Sequence, residues 1–299
     1  MKVLNFGSLN LDYVYQVEHF VQPGETLSAI EQTVNPGGKG LNQSIALARA
    51  GGKVHHAGNV GFGGENLAQL LYDNGIDTTW LLPSDQLQGN AVIQVTPSGE
   101  NCILLFGGSN QCISEEQIEN TITSFSKGDW IVLQNEINNL PLIVNKAYEQ
   151  GLTIALNPSP YNKKLDDVDF HKVSWLLVNE VEAEQISGKK EPEEAWKKLH
   201  EVYPELSMVI TLGSAGSVSW QVKNGEVEKA IQRAFPVHAT DTTGAGDTYT
   251  GYFICGLLEG RPLQECMKRA SMASALSVTK PGAANSIPQF EEVEKALAT

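Results

Sequence analysis

Short, nearly continuous apolar runs recur along this chain, each closed by small or polar residues. They cover 2–6, 54–60, 130–133, 153–156, 175–178 and 208–212, and their length and flanks predict buried strands. Apolar positions at helical spacing fill several of the gaps. Ile45, Leu47, Ala48 and Ala50 are closed by Gly51-Gly52, 65–74 ends at Gly75, and 141–150 and 263–276 also read as helices. Tyr249, Phe253, Ile254, Leu257 and Leu258 form a further helical set that stops before Gly260. Strands alternating with helices predict an α/β fold: a doubly wound, mostly parallel sheet with helices on both faces.

Two stretches break the rhythm. Between Tyr13 and Val34 the apolar residues are sparse and interrupted by Pro23-Gly24, which predicts short strands outside the central sheet. Residues 91–96 and 101–106 flank Pro97-Ser98-Gly99-Glu100, a hairpin signature. Both stretches are assigned to one small, separate β-layer. No repeat, low-complexity segment or linker divides the 299 residues.

Charge narrows the partners. The 35 acidic residues outnumber the 21 basic ones, for a net charge of −14 without a basic run. Nucleic acid and anionic membrane are therefore not expected as partners, and an anionic cosubstrate needs help from helix N-termini and a divalent metal. The four cysteines form no C-x-x-C pair, so neither zinc nor a disulfide framework is expected. The N-terminus reads as a strand rather than a signal peptide, and no apolar run reaches membrane length, which predicts a cytoplasmic protein.

The densest candidate chemistry is Thr240-Asp241-Thr242-Thr243-Gly244-Ala245-Gly246-Asp247, immediately before the helical set at 249–258. Small residues allow close backbone approach, and the first N–H groups of a helix favour anions. A carboxylate beside such a cradle, Asp247, has the placement of a general base for phosphoryl transfer. A glycine-rich turn with Asp247 as a capping residue fits the same residues. The second stretch, Asn35-Pro36-Gly37-Gly38-Lys39-Gly40-Leu41-Asn42-Gln43, sets three glycines around a lysine before a helix. It matches neither the Walker spacing nor G-x-G-x-x-G. Lys39 and Asn42 can donate to a small ligand, or the stretch is a plain strand-to-helix turn.

Several strands end in polar residues: Asn10 and Asp12 after the first, then Gln134-Asn135-Glu136, Asn157-Pro158-Ser159 and Asn179-Glu180-Val181-Glu182. Recurrent polar strand ends point to one shared site along a sheet edge. Asn179 and Glu182 fit two roles equally, a capping box or a carboxylate near hydrated magnesium. Thr211-Leu212-Gly213-Ser214-Ala215-Gly216 is a small-residue turn suited to a flat or anionic ligand, and 279–286 is turn-rich.

Gly37–Gln43 and Asp241–Asp247 together resemble the two signatures of the ribokinase-like carbohydrate kinases, also known as the phosphofructokinase-B family. The likeness continues in order through Gly7–Asp12, Pro23-Gly24-Glu25, Asn157-Pro158, Asn179–Glu182, Thr211–Ser214 and 280–288. It implies a single kinase unit over 1–299 with a lid formed by 13–36 and 88–109, and a homodimer through that lid. It implies phosphoryl transfer from ATP, with Mg2+ and K+, to the primary hydroxyl of a small sugar, with D-ribose as the expected acceptor. Another small sugar, a nucleoside, or a binding protein without turnover are the alternatives.

Position by position, the resemblance makes Asn10, Asp12, Gly38, Lys39, Asn42 and Glu136 sugar contacts, Asp247 the base, and Gly244, Ala245 and Gly246 the anion hole. It makes Asn179, Thr211, Gly213, Gly216 and Gly246 nucleotide contacts and puts Glu182 in the magnesium region. Asp241, Thr243, Ser277, Lys280, Gly282 and Ser286 match positions around a monovalent cation. Two departures stand out. Gly61-Phe62-Gly63-Gly64 is shorter than the family's usual G-x-D-x-x-G and lacks its Asp, and Tyr161-Asn162 is unusual beside the family pattern.

Overall fold

The computed structural model describes residues 1–298. Its larger sheet has nine strands in the order β13-β12-β11-β10-β9-β8-β1-β4-β5. These are β1 Val3–Phe6, β4 Val54–Phe62, β5 Asp77–Leu87, β8 Trp130–Gln134, β9 Thr153–Asn157, β10 Trp175–Asn179, β11 Ser207–Thr211, β12 Ser217–Lys223 and β13 Glu226–Gln232. From β5 to β11 every pairing is parallel, while β12 and β13 close one end antiparallel.

The helices are α1 Lys39–Arg49, α2 Glu65–Asp73, α3 Glu115–Ile122, α4 Leu140–Gln150, α5 Glu180–Ser187, α6 Pro192–Val202, α7 Ala245–Leu258, α8 Leu263–Ser277 and α9 Phe290–Leu297. They cover both sheet faces, and successive strand residues divide between two cores. Val3, Val132 and Ala155 pack with Leu41 of α1 and Phe253 of α7. Leu4, Leu133 and Ile154 pack with Ile118 of α3 and Ile143 of α4. Period-two alternation between two apolar faces is why these strands read as unbroken apolar runs.

The second sheet has four strands in the order β3-β2-β6-β7: β2 Asn10–Gln16, β3 Glu31–Gly37, β6 Asn90–Val95 and β7 Asn101–Phe106. The small layer expected from 13–34 and the 91–106 hairpin is this sheet. Residues 17–30 hold no strand. The expected α/β, doubly wound architecture is the observed one.

Several elements escaped the sequence reading. Edge strand β5 has no fully buried position, and its apolar stretch Trp80-Leu81-Leu82 is short and stops at Pro83. β12 and β13 meet at Asn224-Gly225, both left-handed with φ of 54° and 78°, an Asn-Gly hairpin turn. Helices α3, α5 and α9 are only eight residues long, and α6 buries only Ala195 and Leu199. The two departures are local. Gly61 N donates to Gln88 Oε1 and Gly64 starts α2. Tyr161 packs against the α3–α4 core, and Asn162 caps a short 3-10 turn.

Candidate active site

Parallel strands put their carboxyl ends on one edge, and register aligns what lies there. Gln134 pairs with Asn157, and Asn179 with Thr211. The N-termini of α1 and α7 arrive at the same edge, and the small sheet connects to it through Leu9 and Asn10 of the β1–β2 passage.

Asp247 occupies the first turn of α7 and is 6% exposed. Asn42 Nδ2 donates to its Oδ2 at 3.0 Å, and Gln43 Nε2 donates to its Oδ1 at 2.9 Å. Each carboxylate oxygen takes one amide donor and keeps a further lone pair open. Gly244 starts the helix in the left-handed region at φ 73°, and a Cβ there would meet Ala283 at 3.0 Å. At the start of α7 the Ala245 N–H donates to Thr242 O at 3.3 Å, and the Gly246 and Asp247 N–H groups precede the first intrahelical bond, Thr248 N to Gly244 O at 2.8 Å.

Lys39 opens α1 beside this carboxylate. Burial pulls its ammonium down, but Asp247, Glu136 and Glu182 more than offset that and hold its pKa above the usual lysine value. Glu136 accepts from Ser8 Oγ and from the Lys39 N–H, the latter at 3.0 Å. Asp12, on β2, lies over Gly37, where a Cβ would come within 2.0 Å of its Oδ2. Burial, then the charges of Glu136 and Asp247, raise the Asp12 carboxyl to about 7. Asn10 is buried, its Oδ1 accepting from Asn110 Nδ2 at 2.8 Å. Gly38, at φ 92°, lies against the Ser8–Asn10 turn, with 2.9 Å from a would-be Cβ to Asn10 N.

On the other side, a small cavity of about 80 Å³ is lined by Lys39, Asn157, Asn179, Glu182, Thr211 and Asp247. Asn179 and Glu182 form a capping box: Asn179 Oδ1 accepts from Glu182 N, and Glu182 Oε2 from Asn179 N. The cap is present, and it leaves Glu182 as one buried carboxylate facing the cavity. No cluster of three or more His, Cys, Asp or Glu able to hold a metal occurs among the described residues. With only Glu182 beside Asp247 in its wall, the cavity suits hydrated magnesium carried largely by phosphates rather than a protein cage.

A larger cavity of about 570 Å³ follows, lined by Thr211, Gly213, Gly216, Phe235, Val237 and Gly246 among others. Gly216 has φ 108°, and a Cβ would stand 2.0 Å from Gln232 O. Only glycine lets the backbone pass there. The mostly apolar wall with a few convergent polar groups suits a purine nucleoside.

The tail residues gather around Asp241. Its Oδ1 accepts from Thr243 N and Oγ1, and its Oδ2 from Gly282 N. These donors, against the cost of burial, hold its carboxyl below the usual range. Ser277 and Ser286 are buried but give their hydroxyls to Ser274 O and Ala283 O. Lys280 is turned to Glu292, with Nζ–Oε1 at 3.0 Å.

Five positioning side chains were given no individual role by the sequence, Ser8, Gln43, Asn110, Gln134 and Asn157, although Gln134 and Asn157 stand among its polar strand ends and Ser8 and Gln43 within its motif stretches. All but Asn110, which lies in the 3-10 turn Gly108–Gln111, are polar residues at a strand end or on the buried face of an apolar element. That mismatch is the one signal the sequence holds for them.

A family model described as pfkB family carbohydrate kinase matches residues 1–289. The ribokinase of Haemophilus influenzae is 35% identical over 302 residues, covering 97% of this chain and 96% of that one. The solved ribokinase of Thermotoga maritima superposes with a TM-score of 0.87 at 33% identity, over the whole of both chains. The Arabidopsis thaliana ribokinase complexed with ribose and ATP gives a TM-score of 0.86 at 26% identity, over 100% of this chain and 99% of that one. Motif order, fold and full-length similarity agree: the chain belongs to the pfkB family of carbohydrate kinases.

Proposed function

We propose that this protein transfers the γ-phosphoryl group of ATP to the primary hydroxyl of D-ribose, giving ribose 5-phosphate and ADP. The observation that carries the reading is Asp247, held by Asn42 and Gln43 at the N-terminus of α7, between the polar pocket of Asp12 and Lys39 and the 570 Å³ cavity. Full-length similarity to ribokinases, one of them solved with ribose and ATP, supports the choice of substrates.

Asp247 takes the proton of the hydroxyl. The hydroxyl oxygen forms a bond to the γ-phosphorus, the bond from phosphorus to the β–γ bridging oxygen breaks, and ADP leaves. The Gly244–Gly246 amides stabilise charge developing on the transferred group, and Lys39 adds a fixed cation. Asn10, Asp12, Gly38, Asn42 and Glu136 orient the sugar. Thr211, Gly213, Gly216 and Asn179 hold the nucleotide. Glu182 is the side chain that would meet magnesium, which when bound neutralises phosphate charge. Asp241, Thr243, Ser277, Lys280, Gly282 and Ser286 form the region in which potassium would order the approach to Gly244.

The small sheet acts as a lid through 13–36 and 88–109. Its edge strand β7 leaves Ile103, Leu104, Leu105 and Phe106 all exposed, and a second copy of this chain covers them in a homodimer.

A coupled ADP-release assay over pentoses, 2-deoxypentoses, hexoses and nucleosides tests the reading. D-Ribose should give the highest kcat/KM, and loss of one hydroxyl should cost it heavily, because a site built for that group is left unpaired. Preference for a nucleoside or a phosphorylated sugar contradicts it, as does tight ribose binding without turnover.

A further inference from the structure

The side chain of Gln43 lies one residue beyond Asn42 and belongs to a buried line of amides running beneath the site. Asn5 Nδ2 donates to Gly40 O and to Ser44 Oγ, both at 2.8 Å. Asn5 Oδ1 accepts from Gln134 Nε2 at 2.9 Å. The same Gln134 nitrogen donates to Gln43 Oε1 at 2.7 Å. Gln43 Nε2 then donates to Asp247 Oδ1 at 2.9 Å and to Asn157 Oδ1 at 3.1 Å, while Asn157 Nδ2 donates to Leu177 O at 2.8 Å.

Both ends of this line are backbone carbonyls, which only accept. Gly40 O requires the Asn5 NH2 group, so Asn5 presents oxygen to Gln134. Leu177 O requires the Asn157 NH2 group, so Asn157 presents oxygen to Gln43. Gln134 must then present NH2 to its two neighbours, and Gln43 must turn its own NH2 toward Asp247. Reversing Gln134 would set its oxygen against two others. Its Oε1 instead faces Gly7, where a Cβ would approach to 2.3 Å. Beyond Ser44 stands the Nδ1 of His56 at 2.8 Å, and full burial lowers that imidazole to about 3. No charge therefore enters the line from that end.

We propose that Gln43 is a positioning residue for phosphoryl transfer, its amide locked nitrogen-first onto Asp247 by Gln134 and Asn5. The inference rests on Asp247 being the base. Gln43 touches neither substrate in this account. It acts only by fixing the direction of the Asp247 carboxylate.

The test is a double-mutant cycle. Gln43→Met keeps the length of the side chain and removes the donor. A charge-assisted hydrogen bond of this kind corresponds to a fall in kcat of ~10–100-fold, with KM for ribose and ATP changed by less than about threefold. In an Asp247→Asn background the same substitution should change the residual kcat by less than about twofold, because the group it serves is gone. Gln134→Met, run through the same cycle, should give a smaller fall that also vanishes in that background, which keeps the test available if Gln43→Met does not fold. An unchanged kcat in both variants, or equal losses in both backgrounds, overturns the proposal. Near-normal kcat in Asp247→Asn alone overturns instead the reading of Asp247 as base.

Discussion

Asn42 and Asp247 lie 205 residues apart in sequence and 3.0 Å apart in the fold, amide nitrogen to carboxylate oxygen. The contact joins the first turn of α1 to the first turn of α7, so the two glycine-rich stretches act as one unit. It also separates two expectations for Asn42. A sugar contact, removed, raises KM. A group that holds the base, removed, lowers kcat.

Asn42→Ala is therefore expected to lower kcat by ~10-fold or more, with a smaller rise in KM for ribose. Steady-state kinetics at saturating ATP decides it. A large KM effect with kcat intact would leave Asn42 a sugar contact alone.

Asp12 gives a pH dependence of stability. Its carboxyl is raised from 3.8 to about 7 in the fold, while the unfolded chain releases the proton near the ordinary value. Between those pH values the folded state binds the extra proton. The contribution is thus fully present below about pH 4 and lost as pH rises through 7. Asp12→Asn cannot ionise, so it should be more stable than the parent at pH 8, by on the order of 1–4 kcal/mol. The gap should shrink toward pH 4, and KM for ribose should rise. Denaturant unfolding at both pH values checks this, and a gap independent of pH contradicts it.

Potassium should raise kcat at constant ionic strength relative to sodium or tetramethylammonium, since carbonyl-rich sites replace its hydration shell well. Asp241→Ala should abolish the response and lower the rate. Equal rates in the three salts would mean that Asp241 only ties Gly282 and Thr243 together, the contacts it already makes.

The exposed β7 residues predict association. Leu104 is 71% exposed on the small sheet. Sedimentation equilibrium should give the mass of a dimer for the parent and of a monomer for Leu104→Glu. A monomeric parent at micromolar concentration would remove the homodimer.

What could be read from the sequence follows from what its patterns encode. Val3–Phe6 and Trp130–Gln134 are buried on both faces, so composition alone marks them as strands. β5 and β13 are largely exposed, and only short apolar stretches mark them. Glycine-rich loops announce the site because backbone approach needs small residues, as at Gly216. Direction is another matter. Whether Asn42 faces the sugar or Asp247, and where Gln43 points, depends on partners more than 100 residues away, and no local pattern holds that. Asp241 is the same case: its spacing matches a cation site, yet only the fold reveals Thr243 and Gly282 on its oxygens.

The most direct test of the account is kcat for ribose phosphorylation by Asp247→Asn, measured beside ribose affinity. The substitution keeps size and cannot accept the proton. General-base loss costs ~10²–10⁴-fold, so kcat should fall by that range while the ribose dissociation constant changes little. A variant that turns over ribose at near the parent rate would contradict the central claim.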